Sequence, residues 1–549
     1  MKRKLILVTT VALLRLPIAV LAQDMPPVTS LVYPGPQGSL VYVLDSLGNQ
    51  IPDFSNAGYK GGGVGLPFVP VKKILWPKPG DNSAHLQAAI DSISNLTPDK
   101  YGFRGAILLK MGTWLLESPL YIKASGVVLR GEGKTDIGTI LIGRMPKEGQ
   151  GAQFRRPALI NVTGEAGVIP QEDTKQIITD KYVPVGAVNF TVANAKAFKP
   201  GDKILVRRNS NEEWIKTIGQ DSLQAGRNRW RPFVISYDRI IKDIKGNTIT
   251  IDAPIFTAIE TLWGGGDIVK YQDGGRIELV GIENLRGVSE YDPSVRRTEY
   301  GNMDRGSFDG RGSKYEGDEY YSDENHYFNF INLNNITNAW VRNIAGLHFG
   351  SSVVQTLAGS KWITVQDCES WEPVSIRAGA RRFTFQINGQ LSLVQRCFSH
   401  KGRHSFVMQS STSSGNVFLN CQAVHPYSSS EPHANWVNGA LYDNVTAPLT
   451  ARYWKDITIG WAGANIVFWN CTGDFIVQKP PTAQNYSFGH VGLASVIFNT
   501  QLQDQTKQNG HVEWMDAHVA PKSLYLTQLK ERLGEAAVKN IAPTAGGID

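Results

Sequence analysis

Along the second half of the chain, short bursts of apolar and aromatic residues recur, each closed by a polar residue and then a small or aliphatic one. They read WVRNI, ITVQDC, LVQRC, VFLNC, LYDNV, VFWNC and VIFNT, and end at Ile344, Cys368, Cys397, Cys421, Val445, Cys471 and Thr500. Successive endpoints lie 24, 29, 24, 24, 26 and 29 residues apart. Three residues before each endpoint stands Val341, Val365, Val394, Phe418, Tyr442, Phe468 or Ile497; immediately before it stands Asn343, Asp367, Arg396, Asn420, Asn444, Asn470 or Asn499. A β-rich repeat of this length, with no 3.6-residue period, predicts an all-β solenoid: a parallel β-helix in which each turn covers the apolar face of the next. The asparagines predict a shared bend, because their short amides tolerate left-handed backbone and hydrogen-bond locally. The four cysteines fall beside that bend and read either as a ladder of small buried residues or as bridges between neighbouring rungs.

The first half supplies an end and an interruption. DNSAHLQAAIDSIS, Asp81 to Ser94, sets Leu86, Ala89, Ile90 and Ile93 on one face behind a cap at Asp81 or Asn82, which predicts a short amphipathic helix capping the solenoid. GAILLKMGTWLLESPLYIKASGVVLRGEG then gives three short strands divided by Gly and Pro. Residues 183–256, with Pro200-Gly201-Asp202 and Gly246-Asn247 turns, predict a small inserted β subdomain. Residues 286–326 form a polar loop too long to be idle in a compact domain. In the tail, Leu524, Leu526, Leu529 and Leu533 predict a second amphipathic helix against an end or side of the solenoid. The expected organisation is a signal segment at 1–22, an N-terminal segment at 23–75, the β-helix at 76–502 and a helical tail at 503–549.

Composition narrows the partners. At 42% hydrophobic and 19% charged residues, the chain is an ordinary folded protein. MKRKLILVTTVALLRLPIAVLA combines a basic start, an apolar stretch and a cleavage-type ending at Ala22, which predicts a secreted or periplasmic bacterial protein. Arg15 and Pro17 interrupt that stretch, and no later segment is long and apolar enough to span a bilayer. Removing the four bases of this segment takes the formal charge from +7 to +3, with 52 bases against 49 acids. That balance, without a stripe of bases and aromatics, argues against a nucleic-acid partner.

Equivalent positions in successive turns of a solenoid stack about 4.8 Å apart, so side chains line up in strips. Four residues past consecutive endpoints stand His348, Glu372, Lys401 and His425, with His400 one residue before Lys401. Farther along the same turns come Arg381 and Arg382, then Arg403 and His404, then His433 and Trp436. Such a strip predicts a groove carrying acid–base groups over three or four turns. Neighbouring strand residues face opposite sides, so within each of the pairs Arg381/Arg382 and Arg403/His404 only one points into the groove unless a bend intervenes. Each histidine also has a plain structural reading: His404 heads an apolar strand, His425 precedes Pro426 and His433 follows Pro432. The acidic run containing Asp318, Asp323 and Glu324, followed by His326, has oxygen ligands of the kind Ca²⁺ takes but not the spacing of an EF-hand loop. There is no Gly-x-Ser-x-Gly elbow, zinc-type histidine pair or phosphate-binding loop.

From Asp323 to Val445 the chain resembles a group of secreted, pectate-lyase-like right-handed parallel β-helix proteins associated with bacterial polysaccharide breakdown. The resemblance rests on DENH, AWVRNI, ITVQDCES, PVSIRAGARRFTF, RHSFV, VFLNC and LYDNV, with WAGANIVFWNC, PPTAQNY and SLYLTQL farther on. Some relatives carry a histidine and an arginine after the position of His433, where this chain has Ala434 and Asn435. The resemblance implies β-elimination on an anionic, uronate-containing polysaccharide. A base removes the proton α to the carboxyl group while fixed cations or Ca²⁺ stabilise the enolate. On that expectation His404 or His400 is the base, and Arg382, Arg403 or Lys401 meets the carboxylate. Glu324 is a further catalytic candidate, and Arg381, His326, Glu372, His425, His433, Trp436 and His348 are substrate-binding candidates. Glycoside hydrolysis on the same scaffold would instead need two carboxyl groups flanking the sugar bond, about 5 Å apart in a retaining enzyme, with Glu372, Asp323 and Glu324 as candidates. A non-catalytic carbohydrate-binding solenoid is the third alternative.

Overall fold

The computed structural model describes residues 26–145, 157–221, 229–298, 317–454, 459–492 and 506–542. One turn shows the construction. Lys361–Gln366 bends into Glu369–Trp371, the chain returns through Phe385–Ile387, and Leu393–Gln395 then pairs in parallel beside Lys361–Gln366. Phe385–Ile387 belongs to a seven-stranded parallel sheet running from Leu120–Ile122 to Glu431–Ala434. The other limbs of the turns form the 18-stranded sheet, with Val71–Leu75 at one margin and His511–Glu513 at the other. The architecture is a right-handed parallel β-helix, the hand that crossovers between parallel strands adopt.

The apolar repeat is the inward-facing ladder. Val341, Val365, Val394, Phe418, Tyr442 and Phe468 lie in register on successive turns, and none is more than 1% exposed. Ring centroids are 4.9 Å apart for Phe418 and Tyr442 and 5.4 Å for Tyr442 and Phe468. Burying each such side chain contributes about 1.5–3 kcal/mol. The residue before each endpoint is left-handed throughout: Asn343, Asp367, Arg396, Asn420, Asn444 and Asn470 have φ between 50° and 57°. Asn284, at φ 58° before Leu285, adds a rung the sequence pattern missed. Left-handed backbone costs an ordinary residue about 1–2 kcal/mol. Asn343 Nδ2 donates a hydrogen bond to Asn284 Oδ1 at 2.9 Å, while Arg396 grips Asp367 at 2.7 and 3.0 Å where asparagine is lacking.

All four cysteines are free and buried, so the alternative of inter-rung bridges is corrected. Each thiol instead faces a carbonyl of the preceding turn: Cys368 that of Val341, Cys397 that of Val365, Cys421 that of Val394 and Cys471 that of Tyr442. The signal segment and the repeat ending at Thr500 lie outside the described residues.

The Ser83–Ser94 helix buries Leu86, Ala89, Ile90 and Ile93 against the first turns of the core. The tail helix Leu524–Leu533 buries Leu524, Tyr525, Gln528 and Leu529. Leu526 is only half-buried and Leu533 is 47% exposed, so its inner face is rotated from the one expected, and it packs on the solenoid's flank through Asp443 and the segment around Phe54. The inserted sheet is antiparallel and wider than 183–256, adding Val168–Ile177 and Gly266–Asp273 to the strands within that range. Within the 286–326 stretch, the strand Gly281–Ser289 runs into its start, and Arg296–Thr298 pairs with Glu319–Tyr321 as antiparallel strands. Among the described residues no helix is long and apolar enough to cross a membrane.

Candidate active site

The strip four residues past the endpoints is a second left-handed ladder. His348, Glu372, Lys401 and His425 have φ 66°, 46°, 56° and 49°, each where a strand of the long sheet ends. The reversal turns these side chains outward. His348, Glu372 and Lys401, but not His425, line a cleft of about 320 Å³ together with Arg377, Arg382 and the Glu319–Tyr321 strand.

Glu372 lies between two partners, His400 Nδ1 at 2.8 Å and Lys401 Nζ at 2.9 Å. The rings of Trp371 and His425 flank His400, each with its centroid 5.5 Å away. His348 stands edge-on to Tyr291 with ring centroids 5.1 Å apart. Burial, with His326 and Arg286 nearby, lowers its pKa and keeps it a neutral imidazole at pH 7. Burial raises the pKa of Tyr291, which keeps its proton.

The arginines divide by role. The Arg377 guanidinium is sandwiched between Tyr320 and Tyr427, 4.0 and 3.9 Å from the ring centres, and donates to Tyr427 Oη at 2.8 Å. Arg382, left-handed at φ 56°, borders the cleft and donates to the carbonyls of Ser375 at 2.7 Å and Tyr321 at 3.3 Å. Arg381 points elsewhere and forms a fork with Glu324 at 2.8 and 3.2 Å. Arg403 is buried and donates to the Gly379 carbonyl. The cleft lining thus has four cations, Arg296, Arg377, Arg382 and Lys401, against two carboxylates, Glu319 and Glu372.

Several expected site residues are placed elsewhere. His404 is wholly buried, with Nδ1 donating to the Ser429 carbonyl at 2.6 Å, and burial pushes its pKa far down; it is not a base facing the groove. Its neighbours are Glu431, with Oε1 3.3 Å from His404 Nδ1, and His433, whose Nδ1 is 2.6 Å from the same oxygen. Burial alone would raise the Glu431 pKa, but His404, His433 and Arg452 outweigh it and hold the carboxyl well below its usual range. His326 is buried, with ring nitrogens on Ser289 Oγ and the Val374 carbonyl, and Trp436 is buried edge-on to Trp214; neither can meet substrate as expected. Ca²⁺ wants six to eight oxygens. Asp318 is exposed, Asp323 spends its oxygens on the backbone N–H groups of Asp292 and Asn325, and Glu324 is bound to Arg381, so these residues do not fit a calcium site.

Arg377 and the tyrosines at 291, 320, 321 and 427 were not singled out in the sequence. Arg377 lies inside the PVSIRAGARRFTF stretch and Tyr427 two residues past His425, so extending the strip by one more bend would have reached them. Glu431 was also missed, although it sits two residues before His433, the spacing that puts two strand residues on one face.

No family model and no curated protein matches the sequence. Among solved structures, the chain is similar to an alginate lyase from Paenibacillus sp. str. FPU-7, with 9% identity, TM-score 0.38 and coverage of 81% of this chain and 100% of that one. It is also similar to pectate lyase Pel9A, with 9% identity, TM-score 0.38 and coverage of 79% and 78%. A third similar structure is the tailspike protein gp49 from Pseudomonas phage LKA1, with 12% identity, TM-score 0.37 and coverage of 75% and 56%. The chain spans 56% of the length of that tailspike and of the Gp54 tailspike of Acinetobacter baumannii bacteriophage AP22. With identities this low, function has to be read from the cleft's own chemistry.

Proposed function

We propose that this protein is an exported polysaccharide lyase that cleaves a uronate-containing glycan by β-elimination in the cleft bordered by His348, Glu372, Arg377 and Lys401. The observation that carries the reading is a neutral histidine sharing a cleft with a surplus of fixed cations. His348 replaces His404 as the base. It takes the proton α to the carboxyl group, the C–H electrons form the new double bond, and the bond to the leaving glycosidic oxygen breaks. Lys401 and Arg377 stabilise the carboxylate as negative charge spreads onto it, a charge-matching effect that grows toward the transition state. Tyr291, protonated and against the His348 ring, is placed to return a proton to the leaving oxygen. The tyrosines around Arg377 give flat apolar faces for sugar rings.

Glycoside hydrolysis is the second reading, because two carboxylates, Glu319 and Glu372, border the same cleft. Both are engaged in ion pairs, Glu319 with Arg296 and Glu372 with His400 and Lys401, whereas the hydrolytic mechanism needs one of them as a proton donor. A panel of uronic acid polysaccharides assayed for ultraviolet absorbance separates the readings. Elimination creates a conjugated, absorbing uronide and hydrolysis does not. Release of sugar without absorbance, or absorbance undiminished in His348→Asn, defeats the lyase proposal.

A further inference from the structure

Away from the cleft, His404, Glu431 and His433 bring two imidazoles and a carboxylate together, with one ligand atom from each lying within 4.8 Å of the others. We propose that this cluster is a binding site for a divalent transition-metal ion, with Zn²⁺ the best-matched probe, and that the ion fastens adjacent turns of the solenoid.

The backbone builds the cluster from two neighbouring strands. His404 leads into Phe406–Gln409, which pairs in parallel with Glu431–Ala434, and the register slips by one residue between Met408 and Gln409, opposite His433. A bulge of this kind re-aims a side chain, and here His433 lies with Nδ1 2.6 Å from Glu431 Oε1. Because 29 residues separate the two histidines, the sequence shows no zinc-type pair, and only the stacking of turns assembles one.

The surroundings resemble the outer shell of a metal centre. Metal-bound histidines usually hand their other N–H to a carbonyl or carboxylate, and ligating carboxylates are themselves hydrogen-bonded. His404 Nδ1 donates to the Ser429 carbonyl at 2.6 Å and lies 3.3 Å from Glu431 Oε1, which fixes the tautomer and leaves the lone pair on Nε2, so the His404 ring must shift with that of His433 to present Nε2 to the ion. That nitrogen is buried with no hydrogen-bond partner among the described residues, a deficit that a ligand would remove. Ser429 Oγ at 2.8 Å and Thr450 Oγ1 at 2.6 Å both donate to Glu431 Oε2, leaving Oε1 for the imidazole side. Two imidazoles with a glutamate form a donor set that zinc takes; Ca²⁺, a hard ion served by oxygens, does not suit it.

Two features set the character of the site. A proton now bridges His433 and Glu431, and an ion must displace it; ligand atoms around tetrahedral zinc sit about 3.3 Å apart, so the His433 ring has to move by less than its own width. Arg452 lies 3.9 Å from Glu431 Oε2 and competes for the same charge, which argues for moderate affinity. His404 and Glu431 are 0% and 1% exposed at the side chain and His433 is 11%. The ion is therefore a buried fastener rather than an open Lewis acid.

The test uses the full chain, stripped with a chelator and dialysed, and then titrated with ZnCl₂ or CaCl₂ by calorimetry alongside thermal unfolding. Expected are one Zn²⁺ per chain, a higher unfolding midpoint with Zn²⁺ but not Ca²⁺, and affinity reduced by about 100-fold or more in Glu431→Gln and in His433→Gln. The partly exposed His433 gives the variant that keeps the fold if Glu431→Gln does not. Co²⁺ on the unaltered protein adds a readout, visible d–d bands from a nitrogen and oxygen donor set. Absence of Zn²⁺ uptake, uptake unchanged in His433→Gln, an equal midpoint shift with Ca²⁺, or stoichiometric Co²⁺ without such bands would each overturn the site. None of these readouts depends on catalysis, so a failed lyase assay leaves them intact.

Discussion

Asp238 joins the inserted sheet to the solenoid, and replacing it with asparagine tests that junction. Its carboxylate accepts from Lys361 Nζ at 2.9 Å, Arg276 at 2.8 Å and the Tyr271 hydroxyl at 2.7 Å. The side chains of Asp238, Lys361 and Arg276 are 7%, 4% and 7% exposed. Burial by itself would raise the Asp238 pKa; Lys361 and Arg276 outweigh it and hold the carboxyl well below the usual range. Asp238→Asn keeps the shape and strands the buried Lys361, while Arg276 retains Asp273 at 2.7 Å, and removing one partner from a buried pair costs about 3–5 kcal/mol. A depressed pKa makes the contribution full above the unfolded value of 3.8 and lost as pH falls through the folded one. The gap between wild type and variant should therefore be about 3–5 kcal/mol near neutrality and close in acid. Equilibrium denaturation followed by tryptophan fluorescence measures it. Adding Lys361→Met to the variant should recover part of the loss, because the stranded charge is gone. A neutral-pH loss under about 1 kcal/mol, the size of an exposed pair, or a gap indifferent to pH would refute the reasoning.

The same logic with opposite sign applies to Asp443, which accepts from Ser523 Oγ, the Tyr525 N–H and the Asn444 amide. Burial lifts its pKa from 3.8 to about 7, so its contribution is full below 3.8 and lost as pH rises through 7. Asp443→Asn should remove up to about 4 kcal/mol of stability decline across that window; parallel pH curves for wild type and variant would contradict it. A thiol reagent should label none of the four cysteines in the folded protein and all four after denaturation, and labelling of the native chain would mean the ladder is open. In the cleft, His348→Asn should lower kcat by about 10²–10⁴. Lys401→Met should lower kcat and kcat/KM together, because its charge meets the carboxylate most strongly in the transition state; a rise in KM with kcat unchanged would contradict that role.

The fold was legible where chemistry and geometry coincide. Asparagine before five of the seven endpoints signals left-handed backbone, and the apolar or aromatic residue two positions earlier signals the core, so the turns could be counted without coordinates. The second bend was legible only as a strip of titratable residues, since His348, Glu372, Lys401 and His425 share no chemical type that marks φ above zero. The site was legible in part because the ladder places residues along one sequence offset, and Glu372 and Lys401 do meet there. The rest depends on distances across turns that no spacing rule gives. His404, at the same bend region, faces inward to Glu431 rather than outward to the cleft. Arg377 acquires its orientation from Tyr320 and Tyr427, which come from a hairpin and a later turn. The tail helix missed its expected face because Gln528 is buried by hydrogen bonds to the Pro52 carbonyl and Tyr42, a polar burial that a count of leucines does not register.

The central claim is that the cleft breaks a glycan by elimination with His348 as base. Mass spectrometry of the oligosaccharides released from a uronic acid polysaccharide tests it directly. The account predicts new ends lighter by one water than hydrolysis products, formed by wild type and not by His348→Asn. Fully hydrated ends, or unsaturated ends produced equally by the variant, would contradict it.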